Sequence, residues 1–304
     1  MTQRLLAYVF VAAGLSVADA QPPTFRSGID LVNLGVTVSD KKGNLVADLE
    51  PADFEVLEDG RKQTIEYVAS GEAEATELHL GLLIDVSESM GEDLAFTKTA
   101  SIKFLNLLTE AKDVTVMDFD TEVRAARYSQ AEFPRLIERI RQKKVGGYTA
   151  IYDAIGVYLD GAADQTGRKI MLLYTDGGDT RSSLPFHELI DLLKASDATV
   201  YVIGELEHQS PSAKNHQRMT LQQIADMTGG RAFFPTAIKQ LDEMYAQVLD
   251  EIRAQYTIGY VSTNTKTDGS WRKVEVKVVR RDDRGLRVRS RKGYFAPFKP
   301  ARQN

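Results

Sequence analysis

Apolar positions follow a period of two at both ends of the chain and a strand–helix alternation in between. From Gly28, Ile29 and Leu31, then Leu34, Val36 and Val38, alternate with polar residues up to the turn Asp40-Lys41-Lys42-Gly43-Asn44, as half-buried strands do. Phe54, Val56 and Leu57 lead into Glu58-Asp59-Gly60-Arg61, a hairpin signal because Asp-Gly tolerates positive φ, and Thr64 to Val68 supplies a return strand. These are short antiparallel strands, too little sheet to stand alone.

Gly71 to Glu77 is small and acidic and reads as a linker. The middle of the chain then predicts a buried strand at Leu78 to Ile84 and a helix from Glu92 to Thr109, with Phe96, Ala100, Phe104 and Leu107 on its apolar stripe. Strands at Val114 to Phe119 and Val123 to Tyr128 and a helix at Glu132 to Arg141 follow. Next come a helix from Ala150 to Ala163, a strand at Lys169 to Tyr174, a helix from Phe186 to Ala195 and a strand at Thr199 to Ile203. Glu205 to Arg218 is polar and aperiodic and reads as a loop. Met219 to Met227 resumes as a helix closed by Gly229-Gly230, before a short strand at Arg231 to Phe234 and a last helix from Ile238 to Ala254. This alternation predicts an α/β fold with a doubly wound, mostly parallel sheet.

From Gln255 the period returns to two. Tyr256, Ile258 and Tyr260 alternate, Thr267-Asp268-Gly269-Ser270 marks a turn, and Val274, Val276 and Val278 share a face; Leu286 to Val288 and Tyr294 to Phe295 are two further strands. Pairing both ends removes the exposed edges that either would have alone. It gives about seven strands, the number expected of an immunoglobulin-like sandwich, with the central domain inserted into it. The expected organisation is a leader at 1–20, an N-terminal β segment at 21–76, a central domain at 77–253, a C-terminal β segment at 254–298 pairing with 28–70, and a tail at 299–304.

Charge agrees with this pairing. Asp30 to Glu77 holds twelve acidic residues against four basic ones, and Arg253 to Asn304 fourteen basic against four acidic. The basic strip Arg280, Arg281, Arg284, Arg287, Arg289, Arg291 and Lys292 is interleaved with few aromatics, so it reads as a solvated strand face complementing the acidic segment, with no nucleic-acid partner.

The first twenty residues belong to neither domain. Arg4, the apolar run Leu5 to Val17 and Ala18-Asp19-Ala20 resemble a secretory signal peptide, so the protein is expected to be exported, periplasmic or secreted, with no integral membrane span after cleavage. An uncleaved anchor is the alternative. With 43% hydrophobic and 27% charged residues, 304 residues can bury a core without disulfides, and the chain has no Cys, which also excludes thiolate metal sites and Cys nucleophiles. Of four His residues, only His208 and His216 share a polar loop, a surface pair more in keeping with solvent than with zinc.

Chemistry concentrates where the first central strand ends. Asp85-Val86-Ser87-Glu88-Ser89 sets a carboxylate and two hydroxyls at alternating positions on a tight strand-to-helix loop. Such residues are often helix N-caps, and equally suit a hard divalent cation, Mg²⁺ or Mn²⁺, that takes oxygen ligands. Two later stretches bear on the choice. Gly146-Gly147-Tyr148-Thr149 puts a hydroxyl on a glycine-flexed loop, and Leu172-Leu173-Tyr174-Thr175-Asp176-Gly177-Gly178-Asp179 delivers a carboxylate at the end of a second buried strand. In open α/β sheets ligands bind outside the carboxyl ends of the strands, where both aspartates lie.

In this order the three stretches resemble the metal-ion-dependent adhesion site of von Willebrand factor type A domains, over roughly residues 77 to 253. The resemblance implies Ser87, Ser89 and Thr149 as hydroxyl ligands, and Asp85 and Asp176 as carboxylates acting directly or through water, around Mg (or Mn or Ca). It also implies an open position on the ion for an Asp or Glu of a protein partner, hence a non-enzymatic, exported adhesion or interaction module. The domain arrangement is similar to that of a bacterial secreted subfamily. Two other functions stay open: Mg²⁺-dependent phosphoryl transfer, for which Val86 and Ser87 stand where a second acid is wanted, and an envelope scaffold or chaperone-like factor with a structural metal.

Overall fold

The computed structural model describes residues 31–70, 77–91, 94–280 and 285–298. The expected leader, the linker 71–76, part of the basic strip and the tail from 299 lie outside the described residues. The N-terminal segment forms β1 (Leu31–Ser39), β2 (Phe54–Glu58), β3 (Arg61–Gln63) and β4 (Ile65–Ala69). Asp59 and Gly60 both take positive φ, 48° and 79°, and turn β2 into β3 at once. The expected single return strand at Thr64 to Val68 is therefore two strands: β3 stays beside β2, and the chain changes sheets at Thr64.

The central domain runs β5 (Leu78–Asp85), α1 (Leu94–Leu107), β6 (Ala111–Phe119), β7 (Val123–Ser129), α2 (Phe133–Gln142), α3 (Ile151–Ala162), β8 (Arg168–Thr175), α4 (Phe186–Ala195), β9 (Thr199–Gly204), α5 (Pro211–Met227), β10 (Arg231–Phe233) and α6 (Leu241–Ala254). Its sheet has the order β10-β9-β8-β5-β6-β7, parallel except for the antiparallel edge strand β7. α1, α2 and α6 cover one face, through Leu80, Leu82 and Ile84, and α3, α4 and α5 the other, through Leu83, Met171 and Leu173. Because both faces are covered, every residue of β5, β8 and β9 is buried, which is why their central stretches, Leu80 to Ile84, Ile170 to Tyr174 and Val200 to Ile203, do not alternate with polar residues.

Two expectations fail here. Of the expected α1 stripe, Ala100 and Phe104 are buried but Phe96 and Leu107 are 55% and 56% exposed, and the helix also buries Leu94, Thr97, Ser101 and Leu105. The hydroxyl of Ser101 bonds Tyr245 of α6 (2.9 Å), so small polar residues share the packed face with Ala100 and Phe104, and the face is rotated away from Phe96 and Leu107. The supposed loop Glu205 to Arg218 is largely helix. Ser210 caps α5 by accepting from the Ala213 amide, and Pro211 opens the helix, so His216 sits within α5 while His208 lies beside Glu205. Polarity had concealed a cap-and-proline start.

The C-terminal segment forms β11 (Tyr256–Val261), β12 (Trp271–Val278), β13 (Arg287–Arg289) and β14 (Gly293–Phe295). The two ends combine into a sandwich of sheets ordered β13-β1-β11-β4 and β14-β12-β2-β3, eight strands rather than about seven. Leu34, Val36, Val56, Ile258, Tyr260 and Val274 fill the space between them. Inside, Arg272 and Glu58, 1% and 2% exposed, form an ion pair at 3.2 Å.

The basic strip does not form one face against the acidic segment. Arg280 pairs with Asp48, but Arg289 reaches Glu251 and the Gly230 carbonyl (2.9 Å), and Arg291 the Ser196 carbonyl (3.3 Å). These carbonyls precede β10 and β9, so the arginines fasten the sandwich to the starts of the parallel strands. Buried carbonyls at the domain junction need donors, and that need outweighs long-range charge attraction, which salt screens.

Candidate metal centre

β5 and β8 are adjacent and parallel, with Ile84 level with Tyr174, so Asp85 and Asp176 emerge side by side at the carboxyl ends. Asp85 ends β5 fully buried; its Oδ1 accepts the Ser87 amide (2.9 Å) and its Oδ2 the Thr175 hydroxyl (2.6 Å). Ser87 and Ser89 hydroxyls stand 3.1 Å apart, and Ser89 donates to Oδ1 of Asp176 (3.0 Å). Four of the five expected residues thus form one hydrogen-bonded cluster.

Thr149 joins through backbone. The Gly146 amide donates to the Val86 carbonyl (2.9 Å) and the Glu88 amide to the Gly147 carbonyl (3.2 Å), tying its loop to the Asp85 loop. Its own carbonyl accepts from the amides of Thr180 and Arg181, its amide donates to the Thr180 hydroxyl (3.0 Å), and the residue is 6% exposed. Gly147 takes φ +77° where the loop turns, a conformation costly for other residues.

Thr175 is the residue the sequence reading missed. It lies level with Asp85 across the β5–β8 pair, and that register was the available signal. Gln209 also supports the cluster by donating to the Asp176 carbonyl (3.1 Å). Asp179 holds its own loop, accepting from the amides of Tyr152 (3.3 Å) and Ser182 (3.2 Å), and Glu88 is exposed.

Burial pushes the Asp85 carboxyl up to about 6 despite the hydrogen bonds from Ser87 and Thr175, and the charge of Asp176 adds to the rise. A buried carboxylate beside a second one, ringed by hydroxyl oxygens, fits a hard divalent cation. Among the described residues no group of three or more His, Cys, Asp or Glu is placed to hold a metal ion; this cluster has two carboxylates and takes its other donors from hydroxyls.

A doubly wound sheet whose paired strand ends carry a hydroxyl-and-carboxylate cluster defines the class as an open α/β domain with a rim site. The chain belongs to the von Willebrand factor type A domain family, whose model matches residues 79–247. Domains of this family are mostly non-enzymatic interaction modules, often with a divalent cation at such a rim. The fold is similar to that of a von Willebrand factor type A protein from Catenulispora acidiphila, at 15% identity and a TM-score of 0.51, over 91% of this chain and 76% of that one. A D319A mutant of the PilB minor pilin from Streptococcus sanguinis matches at 15% identity and a TM-score of 0.48, over 59% of this chain and 62% of that one. The pilus adhesin SpaC from Lactobacillus rhamnosus GG, in an open conformation, matches at 11% and 0.49, over 85% of this chain and 49% of that one. No curated protein matches the chain. Among the described residues no helix is long and apolar enough to cross a membrane.

Proposed function

We propose that the protein is an exported, non-enzymatic module that binds a partner protein through a divalent cation held by Asp85, Ser87, Ser89, Thr149 and Asp176. The observation that carries this reading is the single cluster of Asp85, Ser87, Ser89 and Asp176 at the ends of two adjacent strands. Bound there, Mg²⁺, Mn²⁺ or Ca²⁺ supplies a positive site for a partner's Asp or Glu. Few carboxylates leave such a site electrophilic. The chain's own part is orientation: Thr175 and the Ser87 amide fix the two oxygens of Asp85, and Ser89 fixes Asp176. Both oxygens of Asp85 are engaged in this way, which favours holding an ion over proton transfer in a phosphoryl-transfer enzyme.

Thr175→Val is expected to lower Mg²⁺ affinity about 10- to 100-fold in calorimetric titration, since it removes the bond that orients Asp85 without removing a ligand. Partner binding is tested by selecting displayed random peptides on the immobilised protein in Mg²⁺. Peptides that share an Asp or Glu, and lose binding on chelation and on Ser87→Ala, support the reading. Equal selection by the parent in chelator sinks it.

A further inference from the structure

The sandwich carries a group of exposed aromatics far along the chain from the cation rim. Trp271 and Phe295, 37% and 39% exposed, face each other across the β12–β14 pair with ring centroids 5.1 Å apart. Phe298, 71% exposed, is bridged to Asp268, and its side chain lies over Gly269. The indole rests on the backbone of Gly293, where a Cβ would come within 2.5 Å of it. Val274 and Val276 point into the core, so Trp271 and Lys273 belong to the outer face of β12.

The surrounding charge is uneven. Farther along this sheet Glu275 pairs with Lys277 and Glu55 with Lys62. Lys266, Lys273 and Lys292 are exposed and stand in no ion pair among the described residues. Against these three cations stand Asp59 and Asp268, on a chain whose net charge is −5.

We propose that this patch docks the protein on an anionic lipid surface. Trp and Phe settle at the level of lipid headgroups, and clustered Lys and Arg are drawn to their phosphates within a Debye length. Neither contact alone holds a protein firmly; the two together do. The arginines that fasten the sandwich grip the starts of the parallel strands, whereas Asp85 and Asp176 lie at their ends. A chain held by its sandwich therefore keeps the cation rim at the opposite end of the strands.

Trp271 is the only tryptophan of the chain, so its emission reads this patch directly. Purified protein is titrated with vesicles of phosphatidylcholine alone and of phosphatidylcholine with phosphatidylglycerol. Emission is the readout because an apolar N-terminal stretch, where retained, would also carry the chain to vesicles. The expected result is a blue shift and protection from iodide quenching with the anionic vesicles, reversed by high salt. Lys273→Glu and Phe298→Ser should each weaken the partitioning roughly tenfold; both side chains are exposed, and circular dichroism checks that the variants are folded. Unshifted emission with anionic vesicles overturns the inference. So does a blue shift that grows with protein concentration without lipid and is lost in Phe298→Ser, which would make a second copy of the chain the occupant.

Discussion

Glu58→Ala is expected to cost about 3–5 kcal/mol of stability, because it leaves the guanidinium of Arg272 buried without its counter-charge. Glu58 comes from the N-terminal segment, and the four side chains that bond its carboxylate come from the C-terminal one. Its carboxylate accepts from Tyr260 (2.9 Å), Tyr294 (2.8 Å), Ser262 (2.6 Å) and Arg272 (3.2 Å). Burial alone would raise the carboxyl; the hydrogen bonds from Ser262, Tyr294, Tyr260 and Arg272 outweigh it and hold the group below its ordinary value of 4.5. A depressed carboxyl stabilises the fold above its unfolded value and loses that contribution as pH falls below it. Urea denaturation should therefore show stability dropping below about pH 4.5 in the parent, with the Glu58 share of that drop missing in Glu58→Gln. The double variant Glu58→Leu, Arg272→Met should recover much of the loss, since an apolar pair leaves no charge buried.

Asp85→Asn is expected to stabilise the cation-free protein and to abolish its response to Mg²⁺. Burial pushes the folded carboxyl up to about 6 from its ordinary value of 3.8, so the folded state binds this proton more tightly than the unfolded chain does. Stability of the cation-free parent therefore falls as pH rises from about 3.8 to about 6, and stays reduced above that. At roughly 1.4 kcal/mol for each tenfold in proton affinity, the ionised group costs about 2–3 kcal/mol at neutral pH. Asn removes that cost. On the proposed function a bound cation would offset it in the parent, so Mg²⁺ should raise the melting temperature of the parent and leave that of Asp85→Asn unmoved. Proton and cation compete for the same oxygens, and affinity for Mg²⁺ should fall by about tenfold per pH unit below about 6. Thermal unfolding with and without chelator, across that range, checks each of these signs.

The layered fold was legible because β5 and β8 are buried on both faces and separated by helical stretches. The union of the two ends was legible because neither could hide its own edges. Local packing was less readable. Ser101 faces inward from α1 because Tyr245, distant in sequence, offers a partner for its hydroxyl, and only the tertiary structure brings it there. The start of α5 was signalled by Ser210-Pro211, but polar composition over Glu205 to Arg218 masked it. At the candidate site the oxygen-bearing residues were readable as types: two aspartates at strand ends and three hydroxyls on the loops beside them. Thr175 was not, since its role comes from strand register rather than from its place in a motif.

The measurement that tests the account most directly is isothermal titration of Mn²⁺ and Mg²⁺ into the parent protein, Ser87→Ala and Asp176→Ala. One cation per parent chain is expected, with at least a hundredfold weaker binding in both variants, each of which removes an oxygen from the cluster. A folded parent that binds no cation, or variants that bind as the parent does, would contradict it.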